Sequence, residues 1–209
     1  MTLPRPPLLV ITDRKQAQAP LEQVLAAAFE AGCRWASVRE KDLSPDEQVA
    51  LAKRLFRMAR DRDARLTLHG DPALTQAADL DGVHLGAGGD AAAARLRLGE
   101  GALIGISLHS AAEAEKLDPA IVDYAIAGPA YATPSKPDYG PVLGMQGVGK
   151  IAAATTVPII AIGGITPGAV AEMRGAGAAG IAVMGGVMRA HDPAREVGRL
   201  IAAIQADTL

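Results

Sequence analysis

At 209 residues, 49% apolar and 21% charged, the chain has the size and composition of one large globular domain, and the apolar share excludes intrinsic disorder. Its 21 Lys and Arg against 23 Asp and Glu leave a formal charge of −2, and aromatic residues make up only 3%. That excludes both a basic footprint for nucleic acid and a base-stacking platform. One cysteine, Cys33, excludes an intrachain disulfide and a multi-cysteine metal site, and its place after Gly32 marks a small buried residue. No apolar run approaches the ~18 residues of a membrane span, and the stretch Met1–Pro7 lacks the apolar core of a signal peptide. The expectation is a soluble, cytoplasmic protein.

Short strand-like runs alternate with longer helix-like runs along the whole chain. The strand-like runs are Leu8–Asp13, Trp35–Glu40, Arg65–Gly70, Gly82–Gly86, Leu103–His109, Tyr124–Ala130, Pro158–Gly164 and Gly180–Gly186. Between them lie helix-like runs at Leu21–Gly32, Ser44–Asp63, Pro72–Leu80, Asp90–Gly99, Ser110–Ile121, Met145–Thr156 and Thr166–Gly177, with a last one near Pro193–Asp207. Ser44-Pro45-Asp46-Glu47 combines a capping hydroxyl, a proline at the first helical position and acids in the first turn, which together start a helix. Gly32, Gly99 and Gly177 stand where helices should stop.

Eight strand–helix units in this length predict a single α/β domain over residues 1–209, a (β/α)8 TIM barrel, with a doubly wound open sheet as the alternative. The strands Pro158–Ile162 and Gly180–Met184 are mostly apolar, as parallel strands covered on both faces must be. The longest irregular stretch, Tyr131–Gly144, is long enough to predict a functional loop.

In such a barrel the active site lies at the carboxyl ends of the strands, where the polar residues of this chain collect. Alternation puts Ser37, Arg39 and Lys41 on one face after strand two, and Ser107 and His109 on one face of strand five. Arg39 and Lys41 repel each other unless an anion sits between them, although ion pairing with Glu40 or Asp42 is the competing reading. Gly163-Gly164 and Gly185-Gly186 close strands seven and eight, the usual phosphate-binding end of these barrels. On the loop Gly128–Lys136, Thr133, Ser135 and Lys136 form a candidate anion clamp. His109 is the candidate acid/base, His69 ends strand three, and His84 is read as structural.

Six segments in register carry a family resemblance: Val38–Leu43, Asp81–Gly86, Gly105–Ser110, Gly128–Lys136, Ala161–Ile165 and Gly180–Gly186. Together they resemble the thiamine phosphate synthase/TenI superfamily. The resemblance implies a thiamine-biosynthesis enzyme acting on a thiazole phosphate, a small phosphorylated heterocycle as its partner, and a homodimer. Synthases of that superfamily couple a pyrimidine pyrophosphate to the thiazole phosphate with Mg2+, whereas TenI-type tautomerases move protons without metal. Where the synthase pattern has Gln before the Arg-Glu-Lys motif, this chain has Ser37. Where synthases end strand three with Asn-Asp, it has His69-Gly70.

The missing carboxylate favours the metal-free thiazole tautomerase, an isomerase. In that reading His109 transfers the proton, Arg39 and Lys41 meet the substrate carboxylate, and Gly163, Gly164, Gly185 and Gly186 hold the phosphate. His69, Ser107, Thr133, Ser135 and Lys136 complete the substrate contacts. The alternatives are the synthase, a transferase with Asp90 and Asp71 recruiting Mg2+, and a non-catalytic barrel that binds thiazole or thiamine phosphate.

Overall fold

A computed structural model describes residues 2–133 and 141–206. Eight parallel strands, β1 Leu8–Ile11, β2 Trp35–Val38, β3 Arg65–His69, β4 Gly82–Leu85, β5 Leu103–Leu108, β6 Tyr124–Ala127, β7 Ile159–Ile162 and β8 Gly180–Val183, pair in sequence order and close β8 onto β1. The predicted (β/α)8 barrel is therefore the fold, and the open-sheet alternative falls because Leu8, Leu9 and Val10 register against Ile181, Ala182 and Val183.

Strand alternation divides the core into two layers. Leu9 and Ile11 of β1, Trp35 of β2, Tyr124 and Ile126 of β6 and Ile160 of β7 point inward and fill the barrel. Their neighbours Leu8, Val10, Ala36 and Val38 point outward and meet the helices. Trp35 and Tyr124 meet edge to face at 4.6 Å, with rings nearly perpendicular, and plug the lower barrel.

The helices are α1 Leu21–Glu30, α2 Pro45–Arg60, α3 Pro72–Ala77, α4 Ala91–Leu98, α5 Ala111–Ala114, α6 Gly144–Ala153, α7 Val170–Gly175, α8 Gly185–Met188 and α9 Pro193–Ala206. The predicted start of α2 is a capping box: Glu47 Oε2 accepts from Ser44 N at 2.8 Å while Ser44 Oγ accepts from Glu47 N at 3.4 Å. Gly32, Gly99 and Gly177 end their helices with φ of 101°, 80° and 98°, the left-handed region that disfavours a side chain.

Two boundaries differ from the expectation. The run Ser110–Ile121 forms only the four residues of α5 before breaking into turns from Glu115 onward. Gly185 and Gly186 do not extend β8 but open the short helix α8. None of the helices among the described residues is long and apolar enough to cross a membrane.

Candidate active site

The carboxyl ends of the strands surround a cavity of about 490 Å³, within the range of small-molecule sites. On one side stand Arg39, Lys41, His69, Ser107 and His109; on the other, Thr133, Gly163, Gly164, Gly185 and Gly186. Ser135 and Lys136 lie outside the described residues. His84 and Arg189 also line the cavity, and neither was expected there.

The sequence Arg39-Glu40-Lys41-Asp42 leaves β2 with its charges sorted by sign. Glu40, only 3% exposed, turns away from the cavity and accepts from the backbone N of Arg14 through Oε1 at 3.1 Å and Oε2 at 3.2 Å. Asp42 takes a bidentate pair from Arg14, both contacts 2.7 Å, and Lys15 Nζ at 2.9 Å. Hydrogen bonding to Arg14 and then Lys15 holds the Asp42 carboxyl well below its usual range.

The competing ion pair of Arg39 or Lys41 with these acids is therefore absent among the described residues: Arg14 and Lys15 take both acids. Burial, and next the like charge of Arg39, lower the pKa of the Lys41 ammonium. A bound anion would remove that penalty.

His84 sits in β4 opposite His69 in the strand register, and the two rings lie 4.4 Å apart. It is fully buried, and desolvation, followed by the nearby Lys41 charge, pulls its pKa down to about 3. It is therefore a neutral hydrogen-bonding group at ordinary pH, 2.9 Å from Ser107 Oγ through Nε2. Alternation between the outward-facing Val83 and Leu85 was the sequence signal for this inward placement.

His109 follows β5 and is held at two points. Its backbone N donates to Glu113 Oε2 at 2.6 Å, and its ring Nδ1 lies 2.9 Å from the Gly128 carbonyl oxygen. A carbonyl only accepts, so Nδ1 carries the proton, and in the neutral ring Nε2 keeps the lone pair.

Gly163 and Gly164 have φ of 103° and 63°, and the loop after β6 packs directly on them. A Cβ on Gly163 would come within 2.8 Å of the Pro129 backbone, and one on Gly164 within 2.6 Å of the Ala132 carbonyl oxygen. Both glycines are thus required by the backbone itself as well as by their place in the cavity wall.

Magnesium, which the synthase resemblance implies, would need hard oxygen ligands here, with one or two carboxylates at the least. Asp71 and Asp90 do not line the cavity. Each caps a helix instead: Asp71 Oδ1 accepts from Ala73 N at 2.7 Å and Asp90 Oδ1 from Ala93 N at 2.9 Å. At the end of β3, Gly70 leaves open space where a side chain would project, with no atom within 4 Å of a Cβ. Among the described residues no group of three or more His, Cys, Asp or Glu could hold a metal ion. The side chains at this mouth do not fit a seat built on a pair of carboxylates.

Cys33 carries no chemistry. It is buried, its Sγ lies 3.2 Å from the Trp35 carbonyl oxygen, and desolvation raises its thiol pKa to about 11.

Fold and mouth together define a (β/α)8 barrel whose cavity is lined by cations and imidazoles, with its neighbouring acids turned outward. The chain belongs to the thiamine monophosphate synthase family, whose model matches residues 8–187.

It is 36% identical over 203 residues to a putative thiamine-phosphate synthase of Geobacter sulfurreducens, covering 96% of this chain and 95% of the relative. It is 43% identical over 171 residues to the thiamine biosynthesis bifunctional protein ThiM/ThiE of Symbiobacterium thermophilum; that match takes in 81% of this chain but only 36% of the larger protein. The solved structure of thiamine phosphate pyrophosphorylase from Pyrococcus furiosus is similar with a TM-score of 0.84 and 30% identity, covering 95% of each chain.

These similarities overturn the preference for a tautomerase and an isomerase, because the relatives matched over most of their length are named thiamine-phosphate synthases, one of them putative. The physical reason is plain. Gly70 shows what one strand end does not offer, whereas the reaction is set by the mouth that all eight strands build. The proton-transfer role given to His109 falls with that preference.

Proposed function

We propose that the protein couples a pyrimidine pyrophosphate to a thiazole phosphate, the thiamine-phosphate synthase reaction. The relatives' names supply the reaction. In the structure one observation carries it: Arg39 and Lys41 face the cavity while Arg14 and Lys15 draw Glu40 and Asp42 away from it. A pyrophosphate leaving group develops negative charge as it departs, and preorganised cations at that position stabilise the transition state more than the ground state.

The bond changes balance without an acid or base. The C–O bond between the pyrimidine methylene and the pyrophosphate breaks, and its electron pair leaves with the pyrophosphate. The thiazole ring nitrogen, which carries no hydrogen, forms the new C–N bond with its lone pair. No proton has to leave, so the residues act by holding and orienting.

Arg39 and Lys41 receive the pyrophosphate. Neutral His84 fixes Ser107, whose hydroxyl meets the same substrate, and His69 completes that wall. His109, with Nδ1 tied to Gly128, presents Nε2 as a hydrogen-bond acceptor. The wall of Gly163, Gly164, Gly185 and Gly186 takes the thiazole phosphate, with Thr133 beside it; Ser135 and Lys136 belong to the same proposed clamp. The relatives' reaction is implied to use Mg2+, but because the carboxylates here do not fit a seat for it, no step is assigned to the ion.

The test is to incubate the protein with both substrates and follow thiamine phosphate together with released pyrophosphate. Stoichiometric formation of both is expected. With Arg39→Gln, turnover should fall about a hundredfold, in keeping with the loss of one charge-stabilising donor. Absence of both products with the unaltered protein overturns the proposal.

A further inference from the structure

Arg189 belongs to no motif, yet it reaches the glycine-lined end of the cavity beside Gly185 and Gly186. It is the residue just past the single turn of α8, its backbone N donating to the Gly185 carbonyl at 3.0 Å. A spacing of four residues stacks its side chain over position 185. The guanidinium lies flat against that glycine: a Cβ on Gly185 would come within 2.6 Å of Nη2 and 2.7 Å of Cζ.

Gly185 is not among the glycines with positive φ, so the backbone conformation does not demand glycine there. The guanidinium occupies the room a side chain would need, so a Cβ there would displace it. The guanidinium is also aimed from a second element. Gln16, in the connection after β1, accepts from Arg189 Nη1 through Oε1, while its Nε2 donates to Asp13 Oδ2 at 2.5 Å. Since the carboxylate can only accept, it fixes which end of the Gln16 amide faces Arg189.

We propose that Arg189 is the cation that reads the phosphate of the thiazole substrate, and so sets the preference for the phosphorylated over the free thiazole alcohol; this rests on the coupling reaction proposed above. A planar guanidinium offers paired N–H donors that match phosphate oxygens. It follows β8, one strand removed from the β2 end that carries Arg39 and Lys41, and so adds a third cation to the cavity lining, on the glycine wall. Gly185 serves as the gap through which the guanidinium reaches the cavity.

The experiment compares Arg189→Met, Arg189→Lys and Gly185→Ala with the unaltered protein. Steady-state coupling is measured at both substrates, and inorganic phosphate is titrated by calorimetry. Arg189→Met should raise the KM for thiazole phosphate about tenfold or more, the loss expected for a charged hydrogen bond. The KM for the pyrimidine pyrophosphate should not move, and phosphate affinity should fall by a similar factor.

Arg189→Lys should recover part of the loss. Gly185→Ala, which changes no charge but displaces the guanidinium, should reproduce it. Unchanged phosphate affinity and thiazole phosphate KM in Arg189→Met overturn the assignment. Phosphate binding that depends on Arg189 in a protein that forms no coupled product would instead uphold Arg189 as a phosphate ligand and overturn the coupling reaction.

Discussion

His84 shows how one buried side chain ties the site to the stability of the barrel. The imidazole of an unfolded chain takes up a proton near pH 6.5, but in the folded barrel desolvation and Lys41 postpone this to about pH 3. Between those values the unfolded state binds the extra proton, so the contribution is whole above about pH 6.5 and is lost as the pH falls through the window. The loss is at most about 1.4 kcal/mol per pH unit. Urea midpoints measured from pH 7 down to pH 5 should therefore fall steeply for the unaltered protein and more shallowly for His84→Gln, whatever the absolute stability of that variant. Parallel curves would show that His84 is not kept neutral. Strand alternation was enough to aim Arg39 and Lys41 into the barrel mouth, whereas His84 reads as structural in the linear sequence, and the outward turn of Glu40 and Asp42 comes only with Arg14 and Lys15, which are distant in the chain. Nothing in a linear reading pointed to Arg189, because its place depends on a one-turn helix and on Gln16, which is distant in the chain.

Elements are set by their ends, and the ends decide what Asp71 and Asp90 do. Each occupies the N-cap of its helix with the side chain spent on a backbone N–H of the first turn. Asparagine caps about as well as aspartate, whereas alanine costs roughly 0.5–2 kcal/mol. Asp90→Asn should thus keep both stability and coupling activity, within about threefold by our reading that it is a cap and not a ligand. Asp90→Ala should lose about 1 kcal/mol in chemical denaturation with little effect on turnover. A large drop in coupling with the asparagine variant, restored by raised Mg2+, would make Asp90 a metal ligand after all.

The starts of the strands were readable to within a residue, since apolar β-branched runs begin abruptly after polar turns. Their ends were drawn too long, because at a barrel mouth the chain stays extended after its ladder hydrogen bonds stop. The helix after β5 was overdrawn for a different reason. Ala111–Leu117 has helical composition, but the chain turns at Glu115–Lys116, and a second turn with Asp118 at its start follows.

The barrel as a whole separates binding from support along its axis. Its carboxyl end carries the cavity, and at its amino end carboxylates accept from backbone N–H groups at the starts of strands. Asp81 Oδ2 accepts from Leu66 N at 2.7 Å, and Asp123 Oδ2 accepts from Ile104 N at 2.8 Å. Arg95 of α4 completes the second latch, donating to Asp123 Oδ2 at 2.7 Å, to the Ile121 carbonyl at 2.9 Å and to the Ala102 carbonyl at 2.7 Å. The two charged groups are only 11% and 8% exposed, so removing the guanidinium takes the counter-charge from a largely buried carboxylate, which keeps its bond from Ile104 N, and leaves two carbonyls without their donor. Arg95→Met should therefore cost about 3–5 kcal/mol of unfolding free energy. Because the latch lies at the end opposite Arg39, the same variant should keep its KM values for both substrates at temperatures below its own unfolding transition. A shifted KM in a fully folded Arg95→Met protein would show that the two ends of the barrel are mechanically coupled and not independent, as their separation along the strands requires.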